Sequence, residues 1–173
     1  MAGRSDPPDE SPRTRLPALG PRGEGWVVAQ LVLFAAIAVF GLQAWLGRPA
    51  AEGPGIVQVA IGAAAVVLGG VVAARGLWDL GRHVSPFPRP MTGAPLVDRG
   101  AYRLVRHPIY SGLVLAAAGW GLATGSLGAL VCAALLFLLF DGKSRREEVW
   151  LAAVHPDYAA YRARTKRLIP WVY

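Results

Sequence analysis

The sequence predicts an all-α integral membrane protein with about four transmembrane helices, a C-terminal helical hairpin and an amphipathic juxtamembrane helix, and no Rossmann domain. Three observations predict it. Of 173 residues, 54% are hydrophobic and only 17% are charged, outside the usual balance of soluble domains. The apolar residues are gathered in blocks of bilayer length rather than spread with a surface-helix period. Seventeen of the 18 Lys and Arg residues fall on one side of four such spans, with Arg48 alone on the other. The positive-inside rule therefore puts both termini and the longest loop in the cytoplasm of a cell membrane.

Residues 1–25 are rich in Pro, Gly and charge. They read as a disordered cytoplasmic tail, too weakly hydrophobic at its start for a signal peptide. Residues 26–74 hold two N-terminal spans. Trp26 to Leu46 has Gln30 and Gln43 as its strongly polar members and carries Trp26 and Trp45 near its ends, as interfacial anchors require. Gly47 to Gly55, with Arg48-Pro49 and Gly53-Pro54-Gly55, is a turn. Ile56 to Ala74 is the second span. Its small-residue face at Gly62, Ala63, Gly69 and Gly70 suits close packing on a neighbour.

Residues 75–173 form one further region of loop, hairpin and cytoplasmic helix. Arg75 to His107 is a polar connection, in which Ser85-Pro86-Phe87-Pro88-Arg89-Pro90 cannot form a regular helix. A loop of this length is expected to fold over a site. Residues 108–140 read as a helical hairpin divided around Gly125, turning between Gly121 and Gly128, because a single helix would overshoot the bilayer. Charge then resumes, and Val149, Trp150, Leu151, Val154, Tyr158 and Tyr161 recur at helical spacing. They describe an amphipathic helix broken near Pro156. Cys132, the single cysteine, leaves no internal disulfide and reads as a packing residue.

Polar, titratable residues run straight into an apolar segment at Arg106-His107-Pro108-Ile109-Tyr110. Pro108 suits the first turn of a helix, whose partially positive end then lies at Arg106 and His107. Tyr110 follows His107 by three residues and shares its face, and Tyr102 precedes Arg106 by four. Such a cluster suits an anionic or zwitterionic ligand. The plainer reading is a snorkelling basic and aromatic belt at a helix end. The hairpin returns the chain to the same side, so Glu147 and Glu148 can meet the cluster. The two point about 100° apart on a helix, so only one faces it squarely. Either could instead pair with Lys143, Arg145 or Arg146 at a solvated surface. His83 and His155 are isolated and expected at the surface. The three histidines lack a metal-ligand spacing, so no metal is expected. The aromatics do not interleave with the charges, which argues against nucleic acid.

Together these residues resemble the isoprenylcysteine carboxyl methyltransferase family and the wider set of integral-membrane methyltransferases that includes phospholipid N-methyltransferases. The resemblance rests on Leu96-Val97, Gly100-Ala101-Tyr102, Val105 to Gly112, Glu147-Glu148, Leu151, Tyr158, Tyr161 and Arg167-Leu168-Ile169-Pro170, and covers roughly Leu77 to Tyr173. It implies an S-adenosylmethionine-dependent enzyme whose cofactor sits in a cytosol-facing pocket. No G-x-G-x-x-G follows a strand here, in keeping with that picture. It implies Tyr102, His107, Pro108, Tyr110, Glu147 and Glu148 as cofactor-binding residues. It implies Arg106 and Arg167 as catalytic residues, with Arg162 or Arg167 addressing a substrate carboxylate. One departure stands on the substrate side: Val154-His155-Pro156-Asp157 replaces the family's usual Phe-Gly stretch and is one residue shorter.

The expected acceptor is lipophilic and enters from the membrane lipids. Carboxylate O-methylation is favoured, because an ionised acceptor needs no general base, whereas an amine would need His107 or a Glu in that role. The other readings are a phospholipid amine N-methyltransferase, an NADPH-dependent enzyme like the sterol reductases, and a non-catalytic membrane protein. Against the last, Gln30, Gln43, Gln58 and Thr124 are the polar residues visible in the spans, and none is ionisable. Nothing in the sequence sets an oligomeric state.

Overall fold

A computed structural model describes residues 23–49, 53–85 and 95–173. Helix α1 is Glu24–Leu46, α2 is Ile56–Leu80, α3 is Pro108–Ala123, α4 is Leu127–Val154 and α5 is Tyr158–Arg164. Among the described residues there is no strand, only an isolated parallel bridge between Val105 and Lys166. The expected all-helical membrane fold is what the chain adopts. Most of the 1–25 tail, and the Pro86-to-Pro90 run expected to cover a site, lie outside the described residues.

Three helices are long and apolar enough to cross a membrane: α1, α2 with the 3-10 turn that follows it, and α4. At 1.5 Å per residue, the 23 residues of α1 extend about 35 Å, beyond the bilayer core. Helix α3 has 16 residues, or about 24 Å, and is the short member of the bundle. Ile56 and Trp78 are 83% and 81% exposed, as lipid-facing apolar side chains are and a water-facing surface would not tolerate in such number.

The helices pack in the order α2, α3, α4, α1. Glycine decides the first contact. Gly62, Gly69 and Gly76 recur every seven residues on α2, and Gly112 and Gly119 do so on α3. A Cβ at Gly62 would lie 2.6 Å from the Gly119 carbonyl oxygen, and one at Gly69 2.6 Å from the Ala116 amide nitrogen. The two backbones therefore touch, which only a stripe of missing side chains allows. The expected small-residue face is half right: Gly62 and Gly69 are buried in this seam, whereas Ala63 and Gly70 face outward. Between α1, α3 and α4 lies a conventional core of Ile37, Ala117, Cys132, Ala133, Leu136 and Phe140, with Cys132 in the packing role expected of it.

The hairpin turns at Thr124-Gly125-Ser126. Gly125 takes a φ of 60°, and its N–H and that of Ser126 donate to the Leu122 and Gly121 carbonyls. This is a Schellman closure, which needs a left-handed residue at the position Gly125 holds. Ser126 Oγ then accepts from the Ala129 N–H and caps α4. Arg48 reaches over from the α1–α2 turn to donate to the Gly125 carbonyl at 2.6 Å and the Thr124 carbonyl at 3.3 Å. The two turns are thereby tied at one end of the bundle.

At the opposite end α2 continues past the expected Ala74 boundary to Leu80. Arg75 and Asp79 then pair one turn apart on the helix instead of standing in a loop. Asp79 Oδ2 accepts from the Ala101 N–H at 2.8 Å, docking the 3-10 turn Gly100–Arg103 against α2. This end of the bundle carries the polar cluster.

Candidate active site

Helix α4 runs without a break from the spanning region into the charged segment. The interior stripe of Leu136 and Phe140 therefore continues through Lys143 and Glu147. Pro108 occupies the first position of α3, with His107 as the cap residue. Pairing of the chain's end with residues 105–107 fixes the rest. The Arg106 N–H donates to the Lys166 carbonyl at 2.8 Å and the His107 N–H to the Arg167 carbonyl at 3.1 Å, while Ser111 Oγ donates to the Leu168 carbonyl at 2.6 Å.

Glu148 sits at the centre of this arrangement, 4% exposed. Its Oε1 accepts from Arg106 Nε at 2.8 Å and Arg167 Nε at 3.2 Å, and its Oε2 from Arg167 Nη2 at 3.2 Å. Arg106 also donates to the carbonyls of Arg162 and Thr165. Arg167 also donates to Asp141 Oδ1 at 3.1 Å. A buried carboxylate with two guanidiniums is tolerated because the charges compensate and the donors are used.

The His107 imidazole lies between the two acids, Nδ1 3.4 Å from Glu147 Oε2 and Nε2 3.3 Å from Glu148 Oε1. Nε2 is at ion-pair range of Glu148 without the alignment of a hydrogen bond, and remains a buried polar atom without such a partner. Burial works against the charged ring, but the Glu147 and Glu148 carboxylates outweigh it and raise the His107 pKa above 6.5. Tyr110 donates its hydroxyl to Glu147 Oε1 and stacks between the His107 ring at 5.5 Å and the Phe140 ring at 4.3 Å. Tyr161 donates to the Tyr102 carbonyl at 2.8 Å. Tyr158 is buried, and its hydroxyl has no hydrogen-bond partner among the described residues. Burial, with the Glu148 charge adding to it, raises the Tyr158 phenol above its ordinary 10 and keeps it neutral.

Arg106, His107, Tyr110, Glu147, Tyr158 and Tyr161 border a cavity of about 280 Å³ between α2, α3, α4 and the 95–102 segment, near the lower end of small-molecule sites. Of the residues implied by resemblance, Tyr102, Arg106, His107, Tyr110 and Glu147 border it. Glu148, Pro108 and Arg167 stand behind its wall. Glu148 is held by the arginines, Pro108 packs toward Gly76, and Arg167 borders a separate basic groove with Arg162. Glu148 pairs with Arg106 and Arg167 inside the fold rather than at a solvated surface, and Arg145 pairs with Asp141. His83 and His155, expected at the surface, are half-buried on the cavity wall. Lys143 and Gln30 also border the cavity and were not singled out as site residues. Projecting the Leu136–Phe140 stripe one turn further finds Lys143, and Gln30 lies one turn after Trp26 within the Trp26–Ile37 stripe.

Fold and site define a helical membrane protein with an apolar-walled pocket floored by a buried, charge-paired cluster. The chain belongs to the phospholipid methyltransferase family, whose sequence model matches residues 57–157. That family falls within the isoprenylcysteine carboxyl methyltransferase-like group of membrane methyltransferases. It is also similar to the cobalt-zinc-cadmium resistance protein CzcN of Cupriavidus metallidurans (strain ATCC 43123 / DSM 2839 / NBRC 102507 / CH34), 38% identical over 76 residues. That match covers 43% of this chain and 35% of the relative, about a third of the latter's length.

Proposed function

We propose that the protein transfers a methyl group from S-adenosylmethionine to a lipophilic acceptor that enters from the bilayer, with the site on the cytoplasmic side and a carboxylate as the acceptor group. The observation that carries this reading is the cavity floor. There Glu147, His107 and Tyr158 line the cavity, and His107 Nε2 and the Tyr158 hydroxyl are buried without a hydrogen-bond partner among the described residues. Buried polar atoms are rarely left so, and a polar ligand would satisfy them.

The residues fit such a cofactor. When bound, S-adenosylmethionine supplies an electrophilic methyl group on a sulfonium. Glu147 offers negative charge to a cation at the cavity wall. Tyr158 and Tyr102 supply hydroxyls for neutral polar groups, and the apolar walls keep water from the reacting centre. Arg106, Arg167 and Glu148 hold the floor rigid, so the groups above it are positioned in advance. The Glu147 and Glu148 carboxylates favour the protonated form of the His107 ring, which leaves it less available as a general base. That favours an acceptor already ionised, as a carboxylate is.

The phospholipid methyltransferase match favours a second reading, methylation of a lipid amine. The two separate in one assay. The full chain in lipid–detergent micelles is given methyl-tritiated S-adenosylmethionine and a membrane lipid extract. Label in the organic phase that alkali releases as volatile methanol marks a methyl ester and supports the first reading. Alkali-stable label marks an N-methyl product and supports the second. No label with folded wild type overturns both.

A further inference from the structure

The cavity contains a buried cation that the charge-paired floor does not use. Lys143 is 1% exposed and is the deepest residue of α4 to reach the cavity, one turn nearer the bilayer than Glu147. Its ammonium donates to Gln30 Oε1 at 3.0 Å and stands 5.2 Å from the centre of the Tyr110 ring and 5.9 Å from that of Phe140. Among the described residues it takes part in no ion pair. Glu147 is engaged by Tyr110 and His107, and Glu148 by Arg106 and Arg167.

One neutral amide, two ring faces and the Glu147 carboxylate, which acts from beyond ion-pair range, compensate a buried ammonium incompletely for the water it has lost. Two of its three N–H donors remain for an anion. Position says which anion. The polar floor groups lie toward the outer turns of α4, whereas Lys143 lies at the membrane end of the cavity among Leu77, Ile109 and Leu113. An amphiphile entering from the bilayer meets this end first. Gln30 comes from α1 and Lys143 from α4, so the pair joins two helices at this end of the cavity.

We propose that Lys143 and Gln30 form a recognition site for the anionic headgroup of the methyl acceptor, a carboxylate-bearing amphiphile. This rests on the methyltransferase reading above and deepens it. The ammonium draws the carboxylate to the membrane end of the cavity, and Gln30 holds the ammonium in place.

The test is calorimetric titration of the full chain in non-ionic detergent with decanoate and with decanamide, which share a tail and differ in charge. S-adenosylhomocysteine is titrated in parallel. Wild type should bind decanoate about tenfold more tightly than decanamide, the difference one charge-assisted contact supplies. Lys143→Met should abolish the preference, and Lys143→Arg should keep it. Gln30→Glu, nearly the same shape, should also abolish it by placing a carboxylate against the ammonium from within. S-adenosylhomocysteine affinity should be the same in all four proteins. Equal binding of the two amphiphiles to wild type, or a preference that survives Lys143→Met, overturns the proposal. Loss of S-adenosylhomocysteine affinity in Lys143→Met also overturns it, assigning the lysine to the cofactor's carboxylate. If wild type ignores S-adenosylhomocysteine yet prefers decanoate, the methyltransferase reading falls while the anion site stands.

Discussion

Arg106 reaches across 42 residues of sequence to donate Nε to Glu148 Oε1 at 2.8 Å, with both side chains more than nine-tenths buried. This bond joins the start of α3 to the outer part of α4. Through the Arg106 contacts to the Arg162 and Thr165 carbonyls it also holds the chain's end over both. Breaking a buried pair by removing one partner costs about 3–5 kcal/mol, because the other charge stays buried. Glu148→Gln should therefore lower stability by that order, read as a fall in unfolding temperature in detergent. Hydrogen exchange should quicken at the Arg106 and His107 amides, which the end segment protects.

His107 makes stability depend on pH with a definite sign. Its folded-state pKa is raised above 6.5 because the Glu147 and Glu148 carboxylates outweigh the burial that opposes its charge. The folded protein therefore holds that proton more tightly than the unfolded chain. The contribution is complete below 6.5 and is lost as pH rises through the higher folded value. Unfolding midpoints should fall across this range in wild type, and His107→Gln should flatten the fall.

The glycine seam predicts a contrast between neighbours. Gly69 meets the α3 backbone, whereas Gly70, the next residue, has nothing within 4 Å of an added Cβ. Gly69→Leu should destabilise by about 1–3 kcal/mol, the usual cost of overpacking. Gly70→Leu should be near neutral. Unfolding in mixed micelles on titration with SDS checks both.

Arg48 satisfies carbonyls at the end of α3 that the helix itself leaves open. Arg48→Ala should cost about 1–2 kcal/mol through those lost bonds. The loss should appear as faster exchange around residues 124–126 rather than at the cavity.

Much of this was legible in the sequence because bilayer length and charge asymmetry are one-dimensional signals. The spans, the hairpin at Gly125 and the proximity of the Arg106-His107 run to Glu147-Glu148 all follow from them. Which glutamate faces the cavity was not legible: the two differ by one helical step, and of the two arginines that hold Glu148, Arg106 and Arg167, the second comes from the segment after α5. Lys143 was misleading for a related reason. A charge just after an apolar run looks solvated, and only the partner it meets on α1, 113 residues away, shows that it is buried. The extension of α2 to Leu80 was hidden because Arg75 and Asp79 resemble a loop until their one-turn spacing is read as a pair.

One measurement bears on the cavity as a cofactor site above all others: calorimetric titration of S-adenosylhomocysteine into the detergent-purified full chain, wild type beside Glu147→Gln and Gly70→Leu. Micromolar binding to wild type and Gly70→Leu, weakened about tenfold or more in Glu147→Gln, is the predicted result. Folded wild type that binds none, or binding that Glu147→Gln leaves untouched, would contradict it.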